Sequence, residues 1–175
     1  MDFMDVADAS SVDLDNDHSA KFEKTIGTKI FISDAKVDTA DQAKLDYEKM
    51  KWVGGSCATN EISFTGGQKS DIDVTALCSQ EQEVTNGLAA PAEVTLARNW
   101  TRDDGMLEEL ETAYDDNEVR AFKVIFPSGN GFQFLAEIRQ SSWSVAVAGK
   151  VSASYTLRLR GRPKKILTTT ANPTT

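Results

Sequence analysis

The sequence holds a single histidine, His18, and only two cysteines, Cys57 and Cys78. These scarcities remove most of the chemistry open to a domain of this size. No thiol or serine has an imidazole to act as its base, and carboxylates with no pocket signature around them read as surface, so the chain is not expected to be an enzyme. The cysteines have neither metal-ligand spacing nor a Cys-x-x-Cys pattern, which makes them small, reduced, semi-buried thiols, and no cofactor is implied. No apolar run approaches the roughly 20 residues that cross a bilayer. The opening stretch, MDFMDVADASSVDLDNDHSA, has no Lys or Arg, the reverse of a secretory or transit leader. These features predict a protein made and kept in a cytoplasm, with no membrane partner.

What is present suits one globular domain: 175 residues, 40% of them hydrophobic, with a net charge of -8. That charge is unevenly placed. Asp2, Asp5, Asp8, Asp13, Asp15 and Asp17 crowd the start, whereas RLRGRPKK near the other end gathers Arg158, Arg160, Arg162, Lys164 and Lys165. Residues 1–20 read as an acidic flexible arm, 21–165 as the folded domain and 166–175 as a flexible tail. Two solvated ends account for the pattern. So does attraction between neighbouring subunits, with Asp13, Asp15 and Asp17 of one copy on Arg158, Arg160 and Arg162 of the next. The aspartates also imitate a calcium loop, but His18 stands at its glycine position and Lys24 at its bidentate acid, so no metal site is expected.

The clearest local signal is RAFKVIFPSGNGFQFLAEIRQ, residues 120–140, which predicts a β-hairpin. Counting by twos places Phe122, Val124, Phe126, Phe132, Phe134, Ala136 and Ile138 on one side, the core side. The reverse side carries Ala121, Lys123, Ile125, Gln133, Leu135, Glu137 and Arg139, too apolar for a face left in water, so something is expected to cover it. VSASYTLRLR predicts another strand, with Val151, Ala153, Tyr155, Leu157 and Leu159 inward and Ser152, Ser154, Thr156, Arg158 and Arg160 outward.

TIGTKIFIS, KWVGGSCATNEISF and EVTLARNW supply further extended chain, the last with Val94 and Leu96 on one side. TADQAKLDYEKM has capping-box spacing, Thr39 to Gln42, for a short helix. A stronger helix follows Thr101, read as its cap, with Asp103 and Asp104 in the first turn and an apolar stripe of Met106, Leu107, Leu110, Ala113 and Tyr114. The whole predicts a mainly β protein, an antiparallel sandwich or barrel with one flanking α-helix.

Between these strands, about residues 65–90 show only one strand-like piece, Ile72 to Thr75. So long a connection is expected to be disordered or functional, ordering when it meets a partner, and Gly66, Gly67, Asp71, Asp73, Gln80, Glu81 and Glu83 become candidate inter-subunit residues. GGQKS within it lacks the phosphate-loop spacing and reads as a turn. RGRPKK, residues 160–165, resembles an AT-hook, whose arginines enter the minor groove of A·T-rich DNA. The acidic balance and the lack of a second basic patch favour the plainer alternative, that Gly161 and Pro163 end a strand.

NEVRAFKVIFPSGNGFQFLAEI followed by VSASYTLRLRGRP resembles the major tail tube proteins of lambda-type phages with long non-contractile tails. SDIDVTALCSQEQEVTNGLAAPAEVTL and the helix DGMLEELETAY fall in the order that family shows, so the resemblance spans most of residues 21–165. It implies a β-sandwich subunit forming hexameric rings stacked into a hollow tube, assembled in the host bacterial cytoplasm and carried in the virion. DNA would pass through the lumen without specific binding. It further implies contact with copies of itself, a tape measure protein, a tail tip and a tail terminator, and that the hairpin's reverse face meets the lumen, other subunits or the helix. A DNA-binding accessory protein using RGRPKK, or another tube component such as a tail end or secretion tube, is the alternative.

Overall fold

The computed structural model describes residues 22–38 and 45–168. Nine strands and one helix follow in order: β1 (Lys29–Ser33), β2 (Trp52–Gly54), β3 (Thr59–Thr65), β4 (Lys69–Asp73), β5 (Val84–Ala89), β6 (Glu93–Asn99), α1 (Met106–Asp115), β7 (Val119–Ile125), β8 (Gly131–Ser144) and β9 (Ser152–Ile166). Seven strands form one sheet in the order β2-β1-β7-β8-β9-β6-β3, and β4 and β5 pair separately. Every pairing is antiparallel. The fold is mainly β with one flanking helix, as the alternating sequence patterns predict.

The inward-facing residues form a single core. Phe122 and Val124 of β7, Phe134, Ala136 and Ile138 of β8, and Ala153, Tyr155, Leu157 and Leu159 of β9 pack with Ile30, Ile32, Val94 and Leu96. Phe122 stacks on Phe134 across the hairpin, with ring centroids 5.5 Å apart. Helix α1 closes this face with Met106, Leu107, Leu110 and Ala113, all fully buried, and each such side chain stabilises the fold by about 1.5–3 kcal/mol where it is large. Tyr114, expected in the same stripe, is exposed instead, and so are Phe132 and Val151 at the ends of their strands.

The helix begins later than its sequence signals. Gly105, in the left-handed region at φ 71°, precedes Met106, and no side chain caps the end by hydrogen bonding at that position. Thr101 Oγ1 instead accepts from the Asp103 N–H, while Asp104 Oδ1 accepts from the Met106 N–H at 3.1 Å. The reason lies in β6. The third inward position there is Arg98, wholly buried, and its guanidinium donates to both oxygens of Asp104 at 2.8 Å. Asp104 is drawn to that charge, and the helix starts where the carboxylate is held. A second buried guanidinium, Arg120 on β7, donates to Glu109 of α1 and to the Ser33 carbonyl of β1, joining helix and sheet.

The reverse face of the hairpin has its own cover. Ala121 and Leu135 are fully buried beneath Tyr47, with Val37, Met50, Trp52 and Val119 around them. The Val37 N–H donates to the Val119 carbonyl, which pins the covering segment to the sheet. Leu135 therefore meets its own chain, which corrects the expectation of a lumen or subunit contact for that residue. The short helix expected from Thr39 to Met50 lies partly outside the described residues; from residue 45 onward the cover is turn and bend.

Three further expectations change. Cys57 and Cys78 are exposed rather than semi-buried. Residues 65–90 are no open loop, because β4 and β5 make a hairpin within them. Strand β9 does not stop at Gly161 and Pro163 but runs on to Ile166 beside β8. A bulge makes this possible: Leu135 pairs with Arg160 and Gln133 with Lys164, so three β9 residues face one of β8. Gly161, at φ 82°, supplies the turn of the backbone, and Pro163 needs no donor where β6 no longer flanks the strand. The tail expected from 166 is described as far as Thr168, whose N–H donates to Asn130.

Candidate functional site

Strands β3 and β6 are direct neighbours, with Thr65 opposite Glu93, so the β4–β5 hairpin stands as an insertion between two paired strands. All of β4 and nearly all of β5 is exposed. Ile72, Val74, Leu77, Val84 and Leu88 expose apolar side chains, a surface that the described residues do not cover. Backbone pairing and small polar links hold its shape. Asp73 accepts from the Thr75 N–H at 2.9 Å, and those bonds to Thr75 hold its carboxyl below the usual carboxylate range. Asp71 and Asp73 lie on β4, whereas Gln80, Glu81 and Glu83 lead into β5. Gly66 and Gly67 form the entry, and Gly67 lies so close to the Ala90 carbonyl that an added Cβ would stand 1.6 Å from its oxygen.

Arg139, Arg158 and Arg160 are engaged within the molecule. Glu137 of β8 accepts from Arg160 at 2.8 Å and lies 3.8 Å from Arg158 on β9, while Arg139 pairs with Glu93. Each is a surface ion pair worth about 0–1 kcal/mol, so these contacts orient the side chains more than they stabilise the fold. Arg162 is exposed on the bulged part of β9. Asp13, Asp15 and Asp17 lie outside the described residues. The structure thus gathers Glu137, Arg139, Arg158 and Arg160 into one charged patch, well apart in sequence from the β4–β5 hairpin.

Lys123 takes a different environment. Its ammonium lies 4.4 Å from the Trp52 ring centroid and 5.2 Å from that of Phe31. Burial there holds its pKa below the ordinary lysine value of 10.5. Between that lowered value and 10.5 the unfolded chain binds more protons than the folded one, so this group makes stability rise with pH. Lys123→Met is expected to flatten that slope. The check is the urea midpoint of both proteins from neutral pH up to 10.0, below the raised range of Tyr47 and Tyr155. Equal slopes in the two proteins would refute it. Ile125 and Gln133 beside it are half-buried.

Two features went unread in the sequence. The sheet curls so that Thr28 and Ile30 at one end and Ile62 and Phe64 at the other border a common cleft of about 700 Å³, which Phe126, Phe132 and Phe134 also line. At the far end of β8, Trp143, Val145 and Val147 are exposed around the turn into β9. The run WSVAV outside any amphipathic pattern was the available signal for the second; the first depends on strand order, which no local pattern carries.

The family profile described as phage tail tube, TTP, lambda-like, matches residues 21–154. The chain belongs to this lambda-like phage tail tube family. Its members are structural components of the phage tail, so this tail tube chain is a virion protein and not an enzyme. No curated protein matches the sequence. Among solved structures, the SPP1 tail tube is similar at 15% identity and a TM-score of 0.54, over 79% of this chain and 75% of that one. The tail of an empty gene transfer agent particle, refined helically with C6 symmetry, gives 19% identity and 0.53, over 79% and 96%. A sheath/tube terminator of the PVC extracellular contractile injection system gives 9% and 0.55, over 85% and 99%. At these identities the likeness is one of fold. Among the described residues no helix is long and apolar enough to cross a membrane.

Proposed function

We propose that this tail tube chain assembles with itself into rings of six, stacked into a hollow conduit through which DNA leaves the capsid for the host. One observation carries the reading: an inserted hairpin that shows apolar side chains on the outside, with nothing among the described residues to cover them. In a lone subunit such a surface would favour aggregation; in a tube it is an interface between copies. The ring number is supported by the C6 symmetry stated for the gene transfer agent tail. The net charge of -8 suits a passage that must not grip DNA, since carboxylates and phosphates repel. The tape measure, tail tip and terminator are the remaining partners of this reading, and the acidic arm with Asp13, Asp15 and Asp17 is a further candidate contact between copies.

Negative-stain electron microscopy of the concentrated protein tests it. Hollow tubes of uniform width are expected, with six-fold rings in end views. Monodisperse single subunits at every salt concentration, also after addition of purified tail tips, would refute the proposal.

A further inference from the structure

The two ends of the β8–β9 ribbon carry matching apolar features. At one end Trp143 is 71% exposed, Val145 64% and Val147 fully so, on and beside the turn that joins the strands. At the other end lies the 700 Å³ cleft, whose aromatic walls include Phe64 and Phe132, both themselves exposed. A cleft of that size accepts a few apolar side chains. Strand β8 has 14 residues, so the two ends stand roughly 45 Å apart and the tip cannot fill its own cleft. The charges also match. Lys150 is the one charged residue between Gln140 and Ser152 at the tip, and Glu61 is the one charged residue lining the cleft.

We propose that the β8–β9 tip of one copy seats in the cleft of the next, with Trp143 and Val147 against the aromatic walls and Lys150 facing Glu61. This rests on the tube reading above and assigns it a contact separate from the β4–β5 hairpin. The surfaces are different on the two partners, and we take the contact to run in one direction: seated so, it closes into a ring or runs on as a stack, whereas mutual exchange between two copies would end at a dimer. A tryptophan entering an aromatic pocket, with a charge pair near the rim, has the make-up of an interface hot spot.

Disulfide trapping in the full chain tests the contact. With Cys57 and Cys78, both exposed, replaced by serine, Val147→Cys and Phe64→Cys are introduced together and separately, and folding is checked by circular dichroism. Mild oxidation of the double variant is expected to give a ladder of trimers and longer oligomers, while each single variant stops at dimers. Tubes with no ladder would overturn the contact and leave the tube reading standing. A ladder without tubes would uphold the contact and overturn the tube reading; neither ladder nor tubes would overturn both. In a further variant, trapping of the Phe64→Cys thiol by Leu14→Cys of the same chain would also overturn the contact, because the cleft would then hold the chain's own first segment.

Discussion

Replacing residues 66–92 by a two-residue Asn-Gly turn is expected to abolish tube formation and leave a folded, soluble subunit. The register makes the replacement possible: Thr65 and Glu93 already face each other across β3 and β6, so a tight turn can join them. The removed segment buries little: only Ala92 packs against the principal core, and its carbonyl accepts from the Leu159 N–H. Its side chains are exposed in β4 and β5, and the principal core draws on neither strand. The midpoint of thermal unfolding should therefore shift by only a few degrees, of the order that about 1 kcal/mol produces in a domain of this size. Sedimentation velocity reads the assembly and calorimetry the fold. Persistence of tubes in the shortened protein would remove the hairpin from the assembly interface, and loss of the cooperative transition would show that it is structural after all.

Asp104→Ala is expected to destabilise the subunit by about 3–5 kcal/mol, the range found when one partner of a buried ion pair is removed. That is a large part of the roughly 5–15 kcal/mol that holds a domain together. The Arg98 side chain is fully enclosed, and Asp104 is its only acidic partner among the described residues. Its other terminal nitrogen, Nη1, already has no hydrogen-bond partner, so the truncation would strand the whole charge. The carboxylate also receives the first N–H of α1, which would lose its acceptor. Arg98→Met in the Asp104→Ala background should recover most of the loss, because an apolar side chain of similar length needs no counter-ion. Urea denaturation of the two single variants and the double variant measures both effects. A cost below about 1 kcal/mol for Asp104→Ala, the value of a surface pair, would show that water reaches the guanidinium.

The sequence patterns found the strands that have one wet face and one dry one. Phe122, Val124, Phe134, Ala136, Tyr155 and Leu157 alternate because the sheet buries every second residue, and α1 shows its stripe for the same reason. Where burial does not alternate, the signal fails. In β4 and β5 both faces are exposed, so the pairing leaves no hydrophobic period to read. In the middle of β7 and β8 both faces are buried, which is why Ala121 and Leu135 looked misplaced: their cover is Tyr47, from a stretch without regular structure, and Trp52 at the start of the three-residue β2. Arg98 escaped because a charged residue at an inward position is intelligible only once Asp104 is known to stand beside it. Candidate assembly residues were legible as a region, through the length of the connection, but not as a hairpin with an apolar surface.

The insertion of β4–β5 between two strands already in register has a consequence for descent. Mutations that lengthen, shorten or recolour that segment leave the wall of the subunit untouched, since neither Thr65 nor Glu93 has to move. Selection can therefore act on the inserted segment and on the sheet as two nearly independent traits. Lineages sharing this architecture are expected to diverge fastest between those two residues, and to exchange that segment by recombination without losing the ability to fold.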